Sequence, residues 1–444
     1  MAVEALRTRA EQAIAEQFAT ALPRLPGTAE VKTARQQAWA SYAAAGLPHR
    51  RVEEWKYTDL RALLSEAYPP APALAEAFTR AGVDKALGAH FAGVDSHRLV
   101  VVDGQFRPEL SDLEAFEGKA QVLALSDALG APPGWLPDLL GKVNPQEAEP
   151  VAALNMAFLT GGVAMSIEKG ATFGKPVHIV HIHAAKAPAG LATRNVVQVG
   201  EGASLTLLES FVSASGAPVQ RTAVTELAAG KGATVDHVKF QNESPGAAHL
   251  GNWMLELGED ARYRAFQLSA GAAVTRSQIF VRFAGEGALS HVSGTMLARG
   301  KQHTDTTMVI DHAVPGCESR EFTKAVLDGE ARAVVQCKAI VRPDAQKSDG
   351  HQMAQALLLS EVAEFDSKPE LEIYADDVAC GHGSTAGQID EDLLFYLRAR
   401  GIPDKEARAL LVLAFAGEAI ERVENEALRE ALGAFTAEWL GNRA

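Results

Sequence analysis

The sequence has few cysteines and no long apolar run. Its three cysteines, Cys317, Cys337 and Cys380, are widely spaced, and none belongs to the CxxC pairs that structural zinc sites use. Charged residues interrupt the first 21 positions, so no export signal is predicted, and no later stretch approaches the length of a membrane span. These absences favour a protein of the reducing cytoplasm.

Basic residues are also fewer than acidic ones. The 42 Lys and Arg residues against 56 Asp and Glu residues leave a formal charge of -14. Such a charge repels nucleic-acid phosphates and anionic lipid surfaces, so neither nucleic acid nor a membrane is expected as a partner. The chain of 444 residues is longer than one hydrophobic core supports, and two or three structural units are expected.

Motifs for nucleotide binding and hydrolysis are absent as well. Residues 170–176 (GATFGKP) have three residues between the glycines instead of four, and proline replaces the Ser or Thr of a phosphate loop. In residues 383–387 (GSTAG) the serine follows its glycine directly, unlike the serine of a hydrolase nucleophile elbow. The sequence therefore predicts no nucleotide site and no hydrolase.

The first third of the chain reads as helices followed by a few strands. Residues 3–22 and 31–45 are Ala-rich with apolar residues at helical spacing, and Gly46 offers a stop. Short β-branched runs between residues 98 and 125 indicate strands attached to those helices. Five prolines between residues 132 and 150 then break any regular element, which predicts a domain boundary there.

From residue 151 to about 385, a small-residue turn recurs between strand-like runs, at separations of 32, 30, 28 and 27 residues. A period of this size is typical of stacked repeats, in which each rung buries its apolar side against its neighbours. We therefore predict a mainly β protein with a right-handed parallel β-helix core, and a β-sandwich is the alternative. The turns are Gly170-Ala171, Gly202-Ala203, Gly232-Ala233, Asp260-Ala261 and Gly287-Ala288.

Helical patterns return after residue 388. Asp390 precedes a predicted helix over 391–400, Gly401 follows it, and Pro403 marks the start of a second helix. An apolar stripe in that second helix suits either internal packing or docking, and it consists of Leu410, Leu411, Leu413, Ala414 and Ile420. The predicted units are an N-terminal α/β region (1–148), the β-helix (149–387) and a C-terminal helical domain (388–444).

Two groups of polar residues could bind a metal or serve as hydrogen-bonded parts of the stacked sheet. His181 and His183 would share one face of a strand. The second group consists of His303, Asp305, Asp311 and His312. Because the sequence places no third or fourth ligand beside either group, the structural role is the preferred prediction.

The most distinctive constellation is Cys380 and His382, which would project from the same side of an extended segment at the end of the repeats. Gly381 and Gly383 would leave room for another backbone to approach. The alternative is a buried, inert thiol beside a hydrogen-bonded histidine. An iron–sulfur cluster normally has four protein ligands, so any cluster here needs a partner chain to complete it.

Five longer motifs give the chain a resemblance to a known family. They are residues 50–60 (RRVEEWKYTDL), 301–306 (KQHTDT), 326–332 (VLDGEAR), 368–378 (KPELEIYADDV) and 395–402 (FYLRARGI). The chain resembles the SufB/SufD family of iron–sulfur cluster assembly proteins from about residue 46 to residue 430, and within it the SufD branch.

The resemblance implies a non-catalytic scaffold that pairs with a SufB-type subunit, while its C-terminal helices dock a SufC-type ATPase. It further implies His382 and Cys380 as the site residues for a transient iron–sulfur cluster at the partner interface. It allows for a flavin in the assembled complex, and for a homodimer without the partner. The chain departs from the usual motif at Ala379 and Gly381, which weakens the case for Cys380 more than that for His382.

Two other functions are the alternatives. A SufB-like scaffold would carry a functional cysteine in the strand that here has Ile373. A cytoplasmic β-helix enzyme would be a sugar-acid lyase or an acyltransferase, but lyases are usually secreted and acyltransferases repeat every six residues.

Overall fold

The computed structural model describes residues 7–72, 77–146 and 149–441. Its centre is a parallel β-solenoid of about eight turns, with an α/β region before it and helices after it. The predicted fold class is confirmed, and the β-sandwich alternative is wrong, because every pairing from β4 onward between strands of the solenoid is parallel. The unit boundaries at residues 148 and 387 stay a prediction.

The strands form two sheets that face each other. One sheet has the order β19-β17-β15-β13-β11-β9-β7-β5-β1-β2 and the other has the order β18-β16-β14-β12-β10-β8-β6-β4-β3. The strands are β1 (His97–Val102), β2 (Gln105–Phe106), β3 (Ala120–Ala124), β4 (Gly161–Ile167), β5 (Val177–His183), β6 (Ala189–Val199), β7 (Ser204–Ser213), β8 (Val219–Ala229), β9 (Thr234–Asn242), β10 (Ala248–Leu257), β11 (Arg262–Ser269), β12 (Val274–Phe283), β13 (Leu289–Ala298), β14 (His303–His312), β15 (Glu318–Leu327), β16 (Arg332–Val341), β17 (Asp349–Leu358), β18 (Glu364–Ile373) and β19 (Ala379–Gly387).

The recurring turns join one sheet to the other. The first residue of each predicted turn has a positive φ, between 55° and 70°, a conformation that glycine adopts without strain. The alanine after it is buried in four of the five turns, for example Ala233 and Ala261. Apolar side chains between the sheets form one continuous core along the solenoid. The predicted repeat is therefore confirmed.

Helices cover the outer faces of both sheets. The helix α6 packs on β6, β8 and β10, and α2 packs on α6. On the other sheet α8 packs against β13 and β15, and α4 contacts β7 and α9. The helices are α1 (Arg9–Ala21), α2 (Ala29–Ala45), α3 (Leu60–Leu63), α4 (Arg80–Ala92), α5 (Leu125–Gly130), α6 (Pro150–Phe158), α7 (Glu391–Ala399), α8 (Asp404–Ile420) and α9 (Glu426–Gly441).

The predicted helices at both ends are confirmed within the described residues, and the first six residues lie outside them. Gly46 ends α2 at φ 72°, and Asp390 caps α7 by accepting from the backbone N–H groups of Asp392 and Leu393. No helix of the described ranges is long and apolar enough to cross a bilayer.

Two expectations need correction. The strands expected beside the N-terminal helices are present, but β1 pairs with β5 and β3 pairs with β4, so they extend the two sheets of the solenoid. The region after residue 151 was expected to contain strands and turns alone, yet α6 occupies its start. Pro150 stands in the first turn of that helix, where its missing N–H leaves no hydrogen bond unmade.

Candidate functional site

The last rung of the solenoid has an open edge in the described part of the chain. There β18 pairs only with β16, and β19 pairs only with β17. Apolar side chains are exposed on this rung and the one before it, among them Tyr374 (61% exposed), Ile373 and Met353. Unpaired main-chain donors and acceptors beside exposed apolar side chains are typical of an edge that accepts another strand.

Cys380 and His382 both lie on β19, at this edge. In the parallel register Cys380 is opposite Gly350 and His382 is opposite Gln352, two residues that are buried between the sheets. Both candidate side chains therefore share one side of β19, as predicted, and that side is the inner face. Cys380 is partly buried and His382 is exposed, because no further rung of the described chain covers them.

The Cys380 thiol stands beside two further polar groups that the sequence did not place there. A Cβ atom on Gly350 would lie 3.6 Å from Cys380 Sγ, 3.4 Å from Ser319 Oγ and 3.6 Å from His312 Nε2. Glycine at position 350 thus leaves a small gap between the three groups. Burial raises the pKa of the Cys380 thiol, and the Asp349 and Glu321 carboxyl groups raise it further.

The glycines flanking His382 do not leave the free room that was expected for a partner's backbone. A Cβ on Gly381 would lie 3.4 Å from the His351 ring, and one on Gly383 would lie 2.7 Å from Met353 Cε. The room is taken by side chains of the neighbouring strand β17. A partner strand can still pair with the outer edge of β19.

A polar group is buried directly beneath the terminal rung. Glu321 is in register with Gln352, and Gln352 with His382, so the three residues form a column on the inner face. Burial raises the pKa of Glu321 to about 8, and neither carboxyl oxygen has a hydrogen-bond partner. In the amide orientation that satisfies both of its atoms, Gln352 Nε2 donates to the Cys337 carbonyl and Oε1 accepts from the Ala339 N–H, both at 3.1 Å.

The histidine groups singled out from the sequence are hydrogen-bonded parts of the sheets, which confirms the preferred prediction. His181 and His183 do lie on one buried face of β5. His181 Nε2 is 3.1 Å from Asn195 Nδ2, and His183 Nδ1 is 3.1 Å from Asp103 Oδ1. Among the described residues no three His, Cys, Asp or Glu side chains are grouped so as to hold a metal ion.

Two of the sequence motifs meet in one network on the outer face of the nine-stranded sheet. Thr58 Oγ1 is 2.9 Å from His303 Nε2 and also donates to the Asp305 carboxylate. Arg276 pairs with Asp305, and its guanidinium lies 3.8 Å from the centre of the Trp55 ring. The motif at residues 50–60 therefore fastens the N-terminal region to β12 and β14.

A second exposed apolar surface lies on α7. Its exposed side chains are Leu393, Phe395 (73% exposed) and Tyr396, and the Arg400 guanidinium lies 4.4 Å from the centre of the Tyr396 ring. In α8, by contrast, Val412, Ala416 and Ile420 are buried against the core, while Leu410 is exposed. Of the predicted stripe, Ile420 is buried and Leu413 is half-buried against the same core, while Leu410 and Ala414 are exposed. The stripe is therefore only partly used for internal packing.

Two family profiles match this chain. The profile described as "SUF system FeS cluster assembly, SufBD core domain" matches residues 181–415, and the one described as "SufBD protein N-terminal region" matches residues 17–179. The core profile spans more than half of the sequence and includes the open edge. The chain belongs to the SufBD family.

Individual members of the SufBD family match over most of the chain. The iron–sulfur cluster assembly protein SufD of Escherichia coli is 31% identical over 398 residues, which are 89% of this chain and 90% of the relative. A SufBD family protein of Synechocystis sp. is 29% identical over 402 residues, 88% of this chain and 86% of the relative. The SufD protein of Bacillus subtilis is 25% identical over 284 residues, 64% of this chain and 65% of the relative. The family resemblance to SufD is thereby confirmed.

Proposed function

We propose that this chain is a non-catalytic scaffold subunit of the cytoplasmic SUF iron–sulfur cluster assembly complex. In this proposal a SufB-type subunit pairs with the open edge at β18 and β19. His382 and Cys380 contribute part of the ligand set for a transient cluster at that junction. The observation that carries the proposal is that both residues lie on the unpaired terminal rung.

The shortage of ligands supports a shared site. A cluster normally takes four protein ligands, and this rung offers one thiol and one imidazole. Both groups are competent iron ligands once the thiol has lost its proton. Because the pKa of the Cys380 thiol is raised by burial, a neighbouring cation is needed to favour the thiolate. A partner edge that supplies metal ligands and iron would meet both needs.

The test is reconstitution of the complex with a SufB-type subunit and His382→Ala. We expect the variant to pair normally but to retain less iron and sulfide per complex than the unaltered chain. The matched control is His351→Ala, which removes an exposed imidazole from the neighbouring strand on the outward face. Equal iron and sulfide content in the His382→Ala and His351→Ala complexes would remove His382 from the proposed site.

Pairing through the edge has its own test. Tyr374→Glu and Ile373→Lys put charge on exposed apolar positions at the end of β18 or just after it. We expect both variants to lose co-purification with the SufB-type subunit while their thermal unfolding stays unchanged. In the absence of the partner, the same edge is proposed to pair two copies of this chain, so the variants should also be monomeric in sedimentation experiments.

We further propose that α7 docks the SufC-type ATPase. Leu393, Phe395 and Tyr396 are exposed on a short helix, and aromatic side chains are enriched at the centres of protein interfaces. Phe395→Ala should abolish capture of the ATPase in a pull-down. The control is Val362→Ala, which truncates another well-exposed apolar side chain elsewhere (63% exposed), and retained capture by Phe395→Ala would contradict the proposal. The flavin that the resemblance allows for in the complex is untested and has no assigned residues.

A further inference from the structure

A small cavity, partly open to solvent, lies between the two sheets beneath the terminal rung. Its volume is about 10 Å³, which is close to the space that a single water molecule occupies. The residues that line it come from β14 to β19, and four of them bear a carboxyl, thiol, amide or hydroxyl group: Glu321, Cys337, Gln352 and Ser367. Apolar residues of the solenoid core, such as Val335 and Ala354, form other parts of its wall.

Glu321 is an unusual residue for this position. It is 2% exposed, and both of its carboxyl oxygens lack a hydrogen-bond partner. Leaving a buried carboxyl group without a hydrogen-bond partner destabilises the folded chain, and an ionised carboxylate does so more strongly. A side chain that lines a cavity with unpaired oxygens therefore points to something that binds there.

Cys337 is the second side chain of the cavity, beside Glu321, that can carry a negative charge. It is buried at 4% exposure on β16, across the cavity from β15, which carries Glu321. Burial raises the pKa of the Cys337 thiol, and the Glu321 carboxyl group raises it further. Both groups line the same small cavity.

We propose that this space binds one divalent transition-metal cation, with the Glu321 carboxylate and the Cys337 thiolate as its charged ligands. The remaining coordination positions fall to the Ser367 hydroxyl of the same cavity and to water, because both atoms of the Gln352 amide are hydrogen-bonded to the backbone of β16. Two singly charged ligands neutralise a divalent ion, which avoids burying a net charge between the sheets. The exchange balances, because one cation enters and the two protons of the carboxyl and thiol groups leave.

The ligand chemistry selects the class of metal. Thiolate and carboxylate bind ions such as Zn²⁺, Fe²⁺ and Co²⁺ at about 2.0 to 2.3 Å, which suits a cavity of this size. Calcium takes six to eight oxygen ligands at longer distances, and magnesium demands an octahedron of oxygens. Neither finds such a set here, since only three side chains of the lining offer oxygen atoms.

The proposed inner site is distinct from the pair at the edge. Glu321 lies two strands below His382, which corresponds to about 9.6 Å at the normal strand spacing. Gln352 stands between them. The inner site belongs wholly to this chain, so it does not depend on a partner subunit or on cluster assembly.

The experiment uses the full chain with Cys380→Ala and His382→Ala, which removes the edge ligands. The metal-free protein is titrated with Co²⁺ under anaerobic conditions, and the near-ultraviolet charge-transfer band of thiolate-bound cobalt is recorded. We expect about one Co²⁺ per chain with that band. Adding Cys337→Ser should abolish the band, and adding Glu321→Gln should weaken binding by more than about tenfold, the scale on which loss of a coordination-shell partner acts.

The matched control is Cys317→Ser, which removes another buried thiol, one that lies in a turn of the solenoid outside the cavity. It should leave the band and the affinity unchanged. If Cys337→Ser fails to fold by circular dichroism, Cys337→Ala replaces it, and sulfur ligation is read from X-ray absorption at the cobalt edge. Absence of the band in the edge-deficient chain, or a band insensitive to both Cys337 and Glu321, would mean that the cavity holds only water.

Discussion

Arg276 connects three parts of the chain through one buried guanidinium group. It pairs with Asp305 on the neighbouring strand, donates to the Glu54 carbonyl at 2.7 Å and lies over the Trp55 ring. Both members of the Arg276–Asp305 pair are fully buried. The attraction within such a pair adds little net stability, because both charges lose their hydration on burial. Removing one partner is strongly destabilising, because the other charge stays buried and unpaired.

Arg276→Ala should therefore destabilise the chain strongly. Asp305 would stay buried with only the Thr58 and Thr307 hydroxyls as donors, and breaking a buried pair in this way costs about 3 to 5 kcal/mol. The measurement is the free energy of unfolding in urea. The control is Arg342→Ala, which removes a half-exposed arginine paired with Asp311 and should cost about 1 kcal/mol or less. Equal losses would show that the Arg276 network contributes no more than a surface pair.

The buried imidazole of His178 leads to a second prediction, which concerns the dependence of stability on pH. Burial, together with the nearby charges of Arg98 and His181, lowers its pKa to about 3. Between pH 6.5 and pH 3 the unfolded chain binds a proton at this residue that the folded chain does not, so stability falls as the pH falls through that window. The contribution of this one residue to the slope of the unfolding free energy against pH is at most about 1.4 kcal/mol per pH unit.

His178→Gln should reduce that slope in urea unfolding measured between pH 7 and pH 4. The comparison concerns slopes, because the variant also changes the hydrogen bond to Ser210 at 2.7 Å and so its stability at pH 7. His351→Gln, which alters a half-exposed imidazole, should leave the slope as it is. An unchanged slope in His178→Gln would contradict the assignment of a neutral buried ring.

Individual residues also show which side-chain contacts the sequence does not predict. The pattern at residues 303–312 predicted a hydrogen-bonded polar cluster, and that is what the structure contains. It did not predict Thr58 as the partner of His303, because the two are 245 residues apart. Glu209 gave no signal at all, although Asn195, Thr225, His237 and Trp253 all donate to it between the sheets. Long-range pairings of this kind depend on which rung stacks on which, and spacing along the chain does not record that.

At the scale of elements, local signals carried most of the prediction. Gly232 before a buried Ala233 marks a turn because glycine accepts the positive φ and alanine fits the core. The same turn occurs at Gly316 and Cys317, where φ is 70° and the thiol is buried in place of the alanine methyl group. Because cysteine replaces alanine there, the Gly-Ala pattern does not predict this turn. The sequence does not predict α6, because its short apolar run is also compatible with a strand.

Phe240 is the point at which two helices meet one sheet. Its ring stacks on Phe91 of α4 with the centres 3.8 Å apart, and it meets Phe435 of α9 edge-on at 4.9 Å. One side chain of β9 therefore packs against both the N-terminal region and the C-terminal helices. Aromatic pairs in these geometries add to the free energy of burial itself.

Phe240→Ala should cost about 3 to 5 kcal/mol of unfolding free energy, as truncation of a buried aromatic does. Amide hydrogen exchange should rise in both α4 and α9. Phe395→Ala, which truncates an exposed phenylalanine on α7, should leave both the stability and the exchange pattern unchanged. If exchange rises in only one of the two helices, the other is held by contacts that do not involve Phe240.

On the scale of the whole molecule, the solenoid is a stack in which each rung contacts only its neighbours. The stability of such a stack is approximately a sum of rung and interface contributions, so a rung with one neighbour is held less firmly than a rung with two. The two ends of this stack differ. The first is extended by β1, β2 and β3 and flanked by helices, whereas β18 and β19 are paired on one side only within the described residues.

Amide hydrogen exchange should therefore be graded along the chain. We expect exchange to be fastest in β18 and β19, intermediate in β16 and β17, and slowest in β8 to β12, because terminal rungs open at less free energy than the stack as a whole. Addition of a SufB-type subunit should slow exchange in β18 and β19 without changing it in β10, since only the open edge gains a neighbour. Uniform exchange from β5 to β19 would instead mean that the solenoid opens as one cooperative unit, and the bare edge would then be no weaker than the middle of the stack.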